Sequence, residues 1–262
     1  MTTTTEAPVG GRAAWEPRVM PPIGIDLTAT QALAAAFRIL VAEGFSEHIS
    51  GHITVRDDDS GNLWVNPWGL WWDEVTASDI CVVSPDAEVL EGKWDVTPAI
   101  HIHTELHRRR HDARVVVHNH PYHAIVLAAL GMLPEILHQT GCLLDGELAF
   151  VDEYTGEVAN ASLGADLAAA IGDASVVVLA NHGVIVTAPS LEEATYKSAI
   201  VDRQCRLAYD VMIAAGAAGR VPTLVAASLR SPMKASLVER AAEVFWNGWI
   251  RRLLREQPET FA

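Results

Sequence analysis

The 262-residue sequence predicts a mixed α/β domain, in which a largely antiparallel sheet carries helices on both faces. Short β-branched apolar runs recur along the chain, as at 115–117 and 175–180. Some of these runs flank turn residues in the pattern of a hairpin, and others are separated by amphipathic helical patterns. Hairpins require antiparallel pairing, and the helices between strands supply the outer layers.

Helices are predicted where apolar residues recur at three- and four-residue spacing between capping residues. The first begins after Asp26 or Thr28, and a glycine ends it. Thr97 is the N-cap of a second helix that has Pro at its first turn. Ser190 and Glu193 form the pattern of a capping box. In chain order the predicted helices cover about 28–44, 97–110, 122–131, 160–171, 190–215 and 234–256.

Strands are predicted where β-branched residues form short runs bounded by turn residues. Residues 1–22 are polar and contain Pro and Gly, so we expect a loose arm there and a single domain over 23–262. In chain order the predicted strands cover about 52–56, 63–66, 80–84, 88–90, 115–118, 175–180 and 184–187, with 149–155 as a strand or a loop.

Composition excludes several classes of partner. With 19 basic and 33 acidic residues the formal charge is −14, which disfavours nucleic acid and anionic membranes. No apolar run reaches the roughly 20 residues that span a bilayer, and the N-terminus lacks the pattern of a secretory signal. Cys81, Cys142 and Cys205 are far apart and odd in number. We therefore expect no disulfides and a cytoplasmic location.

Three histidines stand at the ends of apolar runs. Residues 115–117 lead into His118 and His120, and residues 176–180 lead into His182. Residues i and i+2 of an extended segment face the same side, so His118 and His120 can aim at one point. His182 can reach that point from another strand end, where the glycine after it lets the backbone turn sharply. Three imidazoles with an open position are the ligand set of a catalytic metal site, so we expect a metal-dependent lyase or hydrolase.

The motifs around these histidines resemble those of the class II aldolase and adducin family. Residues 118–121 (His-Asn-His-Pro) resemble its HxH metal motif, and residues 181–183 (Asn-His-Gly) its third-ligand motif. Residues 51–56 and 72–79 are similar to its Gly-Asn-hydrophobic-Ser segment and to the segment with its catalytic acid/base. The resemblance covers about 30–215. It implies a three-layer α/β/α sandwich, usually a C4 homotetramer with active sites between subunits.

The resemblance also implies candidate catalytic residues. Asp73 falls where the family has its catalytic carboxylate, and Glu74 is next to it. Adjacent residues of an extended segment face opposite sides, so only one of the two should reach the metal. His138 lies near the position of a tyrosine that reaches a neighbouring subunit's site in family aldolases. It is a candidate proton donor, with an exposed loop histidine as the equal alternative.

Two departures from the family motifs disfavour a phosphate ligand. His52 replaces the family's Asn, and Thr97-Pro98 replaces the Ser-Ser pair expected before the central helix. Pro has no N–H to offer a phosphate. His52 is a candidate contact to a substrate carboxylate, and Thr97 is a further candidate for substrate binding. His101 and His103 diverge by about 200° on a helix. Only one of them, paired with His107, can line the site, and His103 is the candidate.

Tryptophans are concentrated before the acid/base segment, and Trp71 is the candidate contact to the substrate. A flat aromatic wall suits a planar ring, although buried Trp is most often part of a core. The sequences of residues 66–72 and 93–101 are similar to those of a decarboxylase branch of the family. Enzymes of that branch act on 3,4-dihydroxyphthalate or 3-hydroxy-2-methylpyridine-4,5-dicarboxylate.

We therefore expect a metal-dependent, non-oxidative decarboxylase of an ortho-hydroxylated aromatic dicarboxylate. It would use one divalent ion per subunit (Zn²⁺, Mn²⁺, Co²⁺ or Fe²⁺) and no organic cofactor. The alternative is an aldolase or epimerase that acts on a sugar phosphate or small hydroxy-carbonyl compound at the same metal site. A non-catalytic scaffold of the adducin kind is disfavoured, because all three ligand positions are histidine.

Overall fold

An eight-stranded mixed sheet forms the centre of the structure, a computed structural model. It describes residues 19–152, 156, 158–237 and 240–262, without the side chains of 236 and 240. The strands are β1 (His52–Arg56), β2 (Leu63–Val65), β3 (Cys81–Val83), β4 (Val89–Glu91), β5 (Val115–Asn119), β6 (Leu148–Val151), β7 (Val176–Leu179) and β8 (Val184–Ala188). They lie in the order β4-β3-β2-β1-β5-β8-β7-β6. All neighbouring pairs are antiparallel except β6 and β7, which confirms a mostly antiparallel mixed sheet.

Helices cover both faces of this sheet. They are α1 (Ala29–Ala42), α2 (His101–Arg109), α3 (Tyr122–Ala129), α4 (Ala161–Ile171), α5 (Leu191–Ala218), α6 (Ala227–Leu237) and α7 (Arg240–Glu256). Buried side chains of α1, α3, α5 and α7 share one core with the sheet. Those of α2 and α4 share a second core on the opposite face. The predicted three-layer α/β/α sandwich is thereby confirmed.

Strand β5 shows how the two cores are separated. Val115 and Val117 belong to the core shared with α1 and α5, whereas Val116 belongs to the core shared with α2 and α4. Side chains alternate between the faces of a strand, so His118 follows Val116 onto the face covered by α2. The continuous apolar run before His118 is what a strand buried on both faces requires.

The predicted helix starts are confirmed by their caps. Thr28 and Gln31 form a capping box at α1, and the hydroxyl of Ser190 accepts a hydrogen bond from Glu193 N at α5. The Thr97 hydroxyl accepts one from Ala99 N and caps a 3₁₀ turn (Pro98–Ile100) that leads into α2. Such oxygens satisfy N–H groups that have no partner inside the helix.

The C-terminal helical region begins earlier than the predicted start at 234. The described residues of 234–256 are helical, in α6 and α7, and α6 begins at Ala227. Helix α6 contains Pro232, a residue that normally breaks helices, and this hid the first part of α6 from the sequence pattern.

Other expectations fall partly outside the described residues. This applies to residues 1–18 of the predicted arm and to part of 152–157, whereas 19–22 form neither helix nor strand. All three cysteines are buried and unbridged. Among the described helices, none combines the length and the hydrophobicity that a bilayer crossing demands.

Candidate metal centre

Strand pairing brings the three histidines of the sequence motifs together. His118 is on β5, and its antiparallel pairing with β8 places Ile185 opposite it. The turn between β7 and β8, which carries His182, therefore lies beside the end of β5. The ring centroids of His118 and His120 are 4.9 Å apart, and His182 lies 4.8 and 5.1 Å from them. One ligand nitrogen from each ring lies within 4.8 Å of the other two.

The turn that carries His182 works differently from the expectation. The residue with left-handed backbone is Asn181, with φ of 51°, whereas we expected the glycine after His182 to make the turn. Gly183 is required for space instead, because a Cβ there would lie 2.5 Å from both Asn119 O and His120 Cδ2. This close approach brings the turn against His120.

The tautomers of His118 and His120 leave two lone pairs facing each other. His118 Nδ1 lies 3.1 Å from the carbonyl oxygen of Val184, and His120 Nδ1 lies 2.6 Å from Glu47 Oε2. Because both oxygens only accept, each Nδ1 donates, and in the neutral rings each Nε2 is unprotonated. These Nε2 atoms are 3.2 Å apart. Two nitrogens bound tetrahedrally at about 2.0–2.1 Å from one ion lie about 3.3–3.4 Å apart, so the pair fits a divalent cation.

Burial favours the neutral, metal-binding form of the His118 and His182 imidazoles. It lowers the pKa of His118 well below 6.5, and the neighbouring His120, His52 and His182 lower it further. The pKa of His182 is lowered to about 4, first by burial and then by His120. Neutral imidazole is the ligand form of histidine, so these shifts favour metal over protons near neutral pH.

Glu47 is a candidate site residue that sequence reasoning missed. Its carboxylate accepts the hydrogen bond from His120 Nδ1 and is itself about half exposed, at 48%. Carboxylates that accept from a metal-binding histidine fix its tautomer and raise its basicity. Glu47 belongs to a loop without motif character, 73 residues before His120. No spacing rule connects the two, so the sequence carries no signal for this contact.

His52 stands directly opposite His118 in the β1–β5 pairing, with ring centroids 5.4 Å apart. It is 8% exposed. Burial, followed by the charges of His120 and His182, lowers its pKa to about 3. Its Nδ1 lies 3.1 Å from His103 Nε2. The structure thus places this candidate beside the metal group.

His103 has a different position from the one expected of a residue that binds substrate. It is fully buried, and its two ring nitrogens contact His52 and the hydroxyl of Thr54. Because both of its ring nitrogens contact protein atoms, His103 positions His52 and has no ring nitrogen left for a substrate. Its predicted partner on the helix, His107, contacts the same hydroxyl.

The tryptophans before the acid/base segment divide into core and surface. Trp72 is buried against Phe37 at a centroid distance of 4.9 Å, and its indole N–H donates to Gly51 O. Trp71 is 47% exposed and lies 4.3 Å from the ring of His48. His48 follows Glu47, so the Trp71 ring packs beside the loop that contacts His120.

Asp73 and Glu74 are both exposed. Glu74 Oε2 accepts a hydrogen bond from the backbone N–H of Trp71, at 2.9 Å. Burial lowers the pKa of Arg38, and this is opposed by Glu259 and then by Asp73 and Glu74. The two carboxylates therefore lie within the field of Arg38, and the metal-ligand group found among the described residues contains only the three histidines.

His138 and Thr97 occupy other positions. His138 lines a cavity of ≈ 610 Å³ with Glu43, Asp202 and Arg203. Its pKa is lowered by burial and by the charge of Arg203, and its Nδ1 accepts from Thr140 N. Thr97 is buried and uses its hydroxyl oxygen as the helix cap described above. Within one chain, His138 is therefore not part of the group formed by His118, His120 and His182.

The geometry defines a class before it indicates a family: an α/β/α protein in which three histidines at strand ends converge so that they could hold a metal ion. Residues 31–209 match the class II aldolase and adducin N-terminal domain. This match spans more than half of the chain, and the chain therefore belongs to the class II aldolase and adducin family.

Similar proteins include both decarboxylases and aldolases. The chain is 34% identical to 3,4-dihydroxyphthalate decarboxylase of Arthrobacter keyseri over 74% of this chain and 83% of that protein. An aldolase II superfamily protein from Pseudomonas syringae has a TM-score of 0.78 at 25% identity, over 88% of this chain and 94% of that one. L-fuculose 1-phosphate aldolase from Glaciozyma antarctica PI12 has a TM-score of 0.76 over 92% and 98%, and at 22% identity it shows the shared fold alone.

Proposed function

We propose that the chain is a metal-dependent carbon–carbon lyase, a non-oxidative decarboxylase of an ortho-hydroxylated aromatic dicarboxylate. The substrate would resemble 3,4-dihydroxyphthalate or 3-hydroxy-2-methylpyridine-4,5-dicarboxylate. The observation that carries the proposal is the pair of unprotonated Nε2 atoms of His118 and His120, 3.2 Å apart and beside His182. The family and the 34% identity to a dihydroxyphthalate decarboxylase support this chemistry.

In this proposal His118, His120 and His182 hold one divalent ion per subunit, and no organic cofactor is needed. Imidazole ligands suit zinc, and iron, cobalt and manganese also bind such sites, with availability often deciding among them. When bound, the ion supplies Lewis-acid stabilisation of negative charge on a substrate oxygen.

The protein side chains orient the substrate and supply a proton. The bond between the ring carbon and the carboxylate carbon breaks, its electron pair stays on the ring carbon, and CO₂ leaves. A proton must then reach that carbon, and Asp73, Glu74 and His138 are the proposed donors. Trp71 offers its exposed face to the planar ring, and His52 contacts the substrate beside His118.

Local chemistry at residues 97–98, just before α2, disfavours a sugar phosphate as the substrate. Pro98 has no N–H, and the N–H of Ala99 already donates to the Thr97 oxygen. Both features reduce the number of hydrogen-bond donors that this segment offers to a phosphate. The aldolase or epimerase alternative uses the same three histidines, so the products must distinguish the two functions.

The test is a turnover panel of ortho-hydroxy aromatic dicarboxylates and sugar phosphates, with CO₂ and aldehyde measured in parallel. We expect CO₂ from the aromatic acids. His118→Ala, His120→Ala and His182→Ala should each lose both bound metal and turnover while remaining folded, and exposed His111→Ala is the control. Full activity in a metal-free variant, or aldehyde release alone, would contradict the decarboxylase.

The acid/base assignment has its own test. Asp73→Asn or Glu74→Gln should retain the metal and lose most of the turnover, because neither residue belongs to the histidine group. Wild-type rates in both variants would remove these two residues from the mechanism.

We further propose that the chain acts as a homo-oligomer, a C4 tetramer or a multiple of it, with active sites shared between subunits. The position of His138, in a cavity with Arg203 rather than among the three histidines, supports sharing. In this arrangement one subunit supplies the metal ligands and its neighbour supplies His138.

A further inference from the structure

A chain of buried hydrogen bonds runs from His52 away from the metal site. His52 Nδ1 lies 3.1 Å from His103 Nε2, and His103 Nδ1 lies 2.8 Å from the hydroxyl of Thr54. The same hydroxyl lies 2.8 Å from His107 Nε2, and His107 Nδ1 lies 2.8 Å from the carbonyl oxygen of Ala113. The mechanism above uses none of the side chains behind His52.

The sheet register explains why these side chains meet. His52 and Thr54 are two residues apart on β1 and face the same side. His103 and His107 are four apart on α2, so they also share a face, and α2 covers this side of the sheet. All four side chains are less than 9% exposed. Buried polar groups of this kind are stabilised only when each has a partner.

The carbonyl of Ala113 gives the chain a single direction. It can only accept, so His107 Nδ1 donates and the neutral ring leaves Nε2 as an acceptor. The Thr54 hydroxyl then donates to His107 and accepts from His103 Nδ1. His103 Nε2 is in turn the acceptor for His52 Nδ1. The remaining nitrogen of His52, Nε2, is therefore unprotonated.

Burial supports the neutral state of the two helix histidines. It lowers the pKa of His107 to about 4. It lowers the pKa of His103 well below 6.5, with further lowering from His52 and His107 and some opposition from the carbonyl of Val116. The direction of the hydrogen bonds follows from these neutral rings and from the Ala113 carbonyl.

His52 lies beside the metal ligands without being one of them. Its ring is 5.4 Å from that of His118, yet the group of convergent ligand atoms among the described residues is His118, His120 and His182. An unprotonated nitrogen at this position can accept a hydrogen bond and cannot donate one. It suits a hydroxyl group and opposes anionic oxygens, those of a carboxylate, the contact expected from the sequence, as well as those of a phosphate.

We propose that Thr54, His103 and His107 lock His52 as a hydrogen-bond acceptor, which selects substrates that present a hydroxyl group beside the metal. The inference rests on the proposed function, because the hydroxyl is that of the hydroxylated aromatic acid. Thr54, His103 and His107 act through His52 and are positioning residues.

The test uses Thr54→Val, which keeps the shape and removes the hydroxyl. Thr187→Val is a matched control, because Thr54 and Thr187 both pair with Val116 in the sheet. Thr187 is also buried, but its hydroxyl has no hydrogen-bond partner among the described residues. Thr54→Ser restores a hydroxyl and should rescue the wild-type properties. If Thr54→Val does not fold, Thr54→Ala against Thr54→Ser makes the same comparison.

The first measurement is the tautomer of His52, from ¹⁵N-histidine NMR spectra of the zinc-loaded protein, with the signal assigned by its loss in His52→Gln. We expect the Nδ1–H form in the wild type, in Thr187→Val and in Thr54→Ser. In Thr54→Val, His103 is no longer held in one direction, and His52 should show the Nε2–H form as well. An Nε2–H wild type, or unchanged spectra in Thr54→Val, would overturn the lock.

The second measurement is the ratio of the affinities for catechol and its monomethyl ether, by calorimetry on the zinc-loaded protein. We expect Thr54→Val to lower this ratio by about tenfold, which is the loss from one buried hydrogen bond, and Thr187→Val to leave it unchanged. Equal ratios in all variants would overturn recognition of the hydroxyl. Neither measurement needs turnover, so a wild type that releases no CO₂ contradicts the proposed function while these two results still decide the inference.

Discussion

Glu47 fixes the tautomer of His120 at the candidate metal centre. The carboxylate accepts from His120 Nδ1 at 2.6 Å, which leaves Nε2 to face His118. His118 obtains the same tautomer from the carbonyl of Val184. The first contact depends on one side chain and the second on the backbone, so only the first can be removed by substitution.

Replacing Glu47 by Gln should weaken metal binding without removing it. The neutral amide no longer enforces the Nδ1–H form of His120, and loss of such a contact typically lowers metal affinity about 10–100-fold. Metal affinity can be measured by competition with a chelator. Glu91→Gln, at an exposed residue on β4, is the matched control, and equal affinities in the two variants would contradict the role of Glu47.

Sequence patterns located the residues that strand ends bring together, and they missed those that depend on loops. His118 and His120 follow from the two-residue period of a strand. His182 follows from its position at another strand end. Glu47 could not be found in this way, because its contact with His120 depends on a loop conformation that no local pattern specifies.

At the scale of elements, the β7–β8 turn is the part of the site with the least room for change. A Cβ at Gly183 would lie 2.5 Å from the backbone oxygen of Asn119 and from the ring of His120. Backbone atoms cannot move away cheaply in a paired strand, so the turn or the His120 ring would have to shift.

Gly183→Ala should therefore impair metal binding more than it impairs folding. The added methyl group displaces His120 or His182 from the common point, and we expect at least about a tenfold loss of metal affinity, as for other distortions of ligand orientation. Gly216→Ala, in α5 with open space around the position, should bind metal normally. Normal metal content in Gly183→Ala would show that the turn has more freedom than its contacts indicate.

Helix α2 adds a pH dependence to the stability of the fold. Burial lowers the pKa of His107 to about 4 from 6.5. Between these values the unfolded chain binds a proton that the folded chain does not bind, so stability rises with pH across this window and falls as the pH drops. A shift of this size corresponds to about 3 kcal/mol.

His107→Gln should make the acid side of the stability curve shallower. Chemical unfolding of the metal-free protein between pH 4 and 6.5 should show a slope reduced by up to one proton, about 1.4 kcal/mol per pH unit. The exposed His111→Gln variant should retain the wild-type slope. An unchanged slope in His107→Gln would mean that His107 is protonated in the folded state.

Elements with strong caps or continuous apolar runs were predictable, whereas a helix that contains a proline was not. Thr28, Thr97 and Ser190 mark helix starts because their side chains bond to N–H groups nearby in sequence. The order of the strands could not be derived, because it depends on which apolar faces meet across the chain. Helix α6 was hidden because Pro232 opposes a helix locally while the surrounding structure keeps it.

At the scale of the whole molecule, the sandwich separates candidate residues that the resemblance groups together. The three histidines meet at the ends of β5 and β7. His138 lies in the cavity with Asp202 and Arg203 on α5. Asp202 has a pKa raised to about 6, mainly by burial, so this cavity has its own polar environment. If His138 takes part in the reaction, a neighbouring subunit must receive it.

Shared sites predict that two inactive variants complement each other. His118→Ala removes a metal ligand and His138→Ala removes the proposed donor, so each homo-oligomer should be inactive or nearly so. In mixed oligomers, random assembly leaves about a quarter of shared sites with both residues intact, and activity should return to about that fraction. The measurement is CO₂ release after co-expression at equal levels, with each variant alone as the control.

Complementation should disappear when His118→Ala is paired with His120→Ala, because both changes then fall on the same side of every site. No recovery from an inactive His138→Ala would place its role within one subunit, and a fully active His138→Ala would remove it from the reaction.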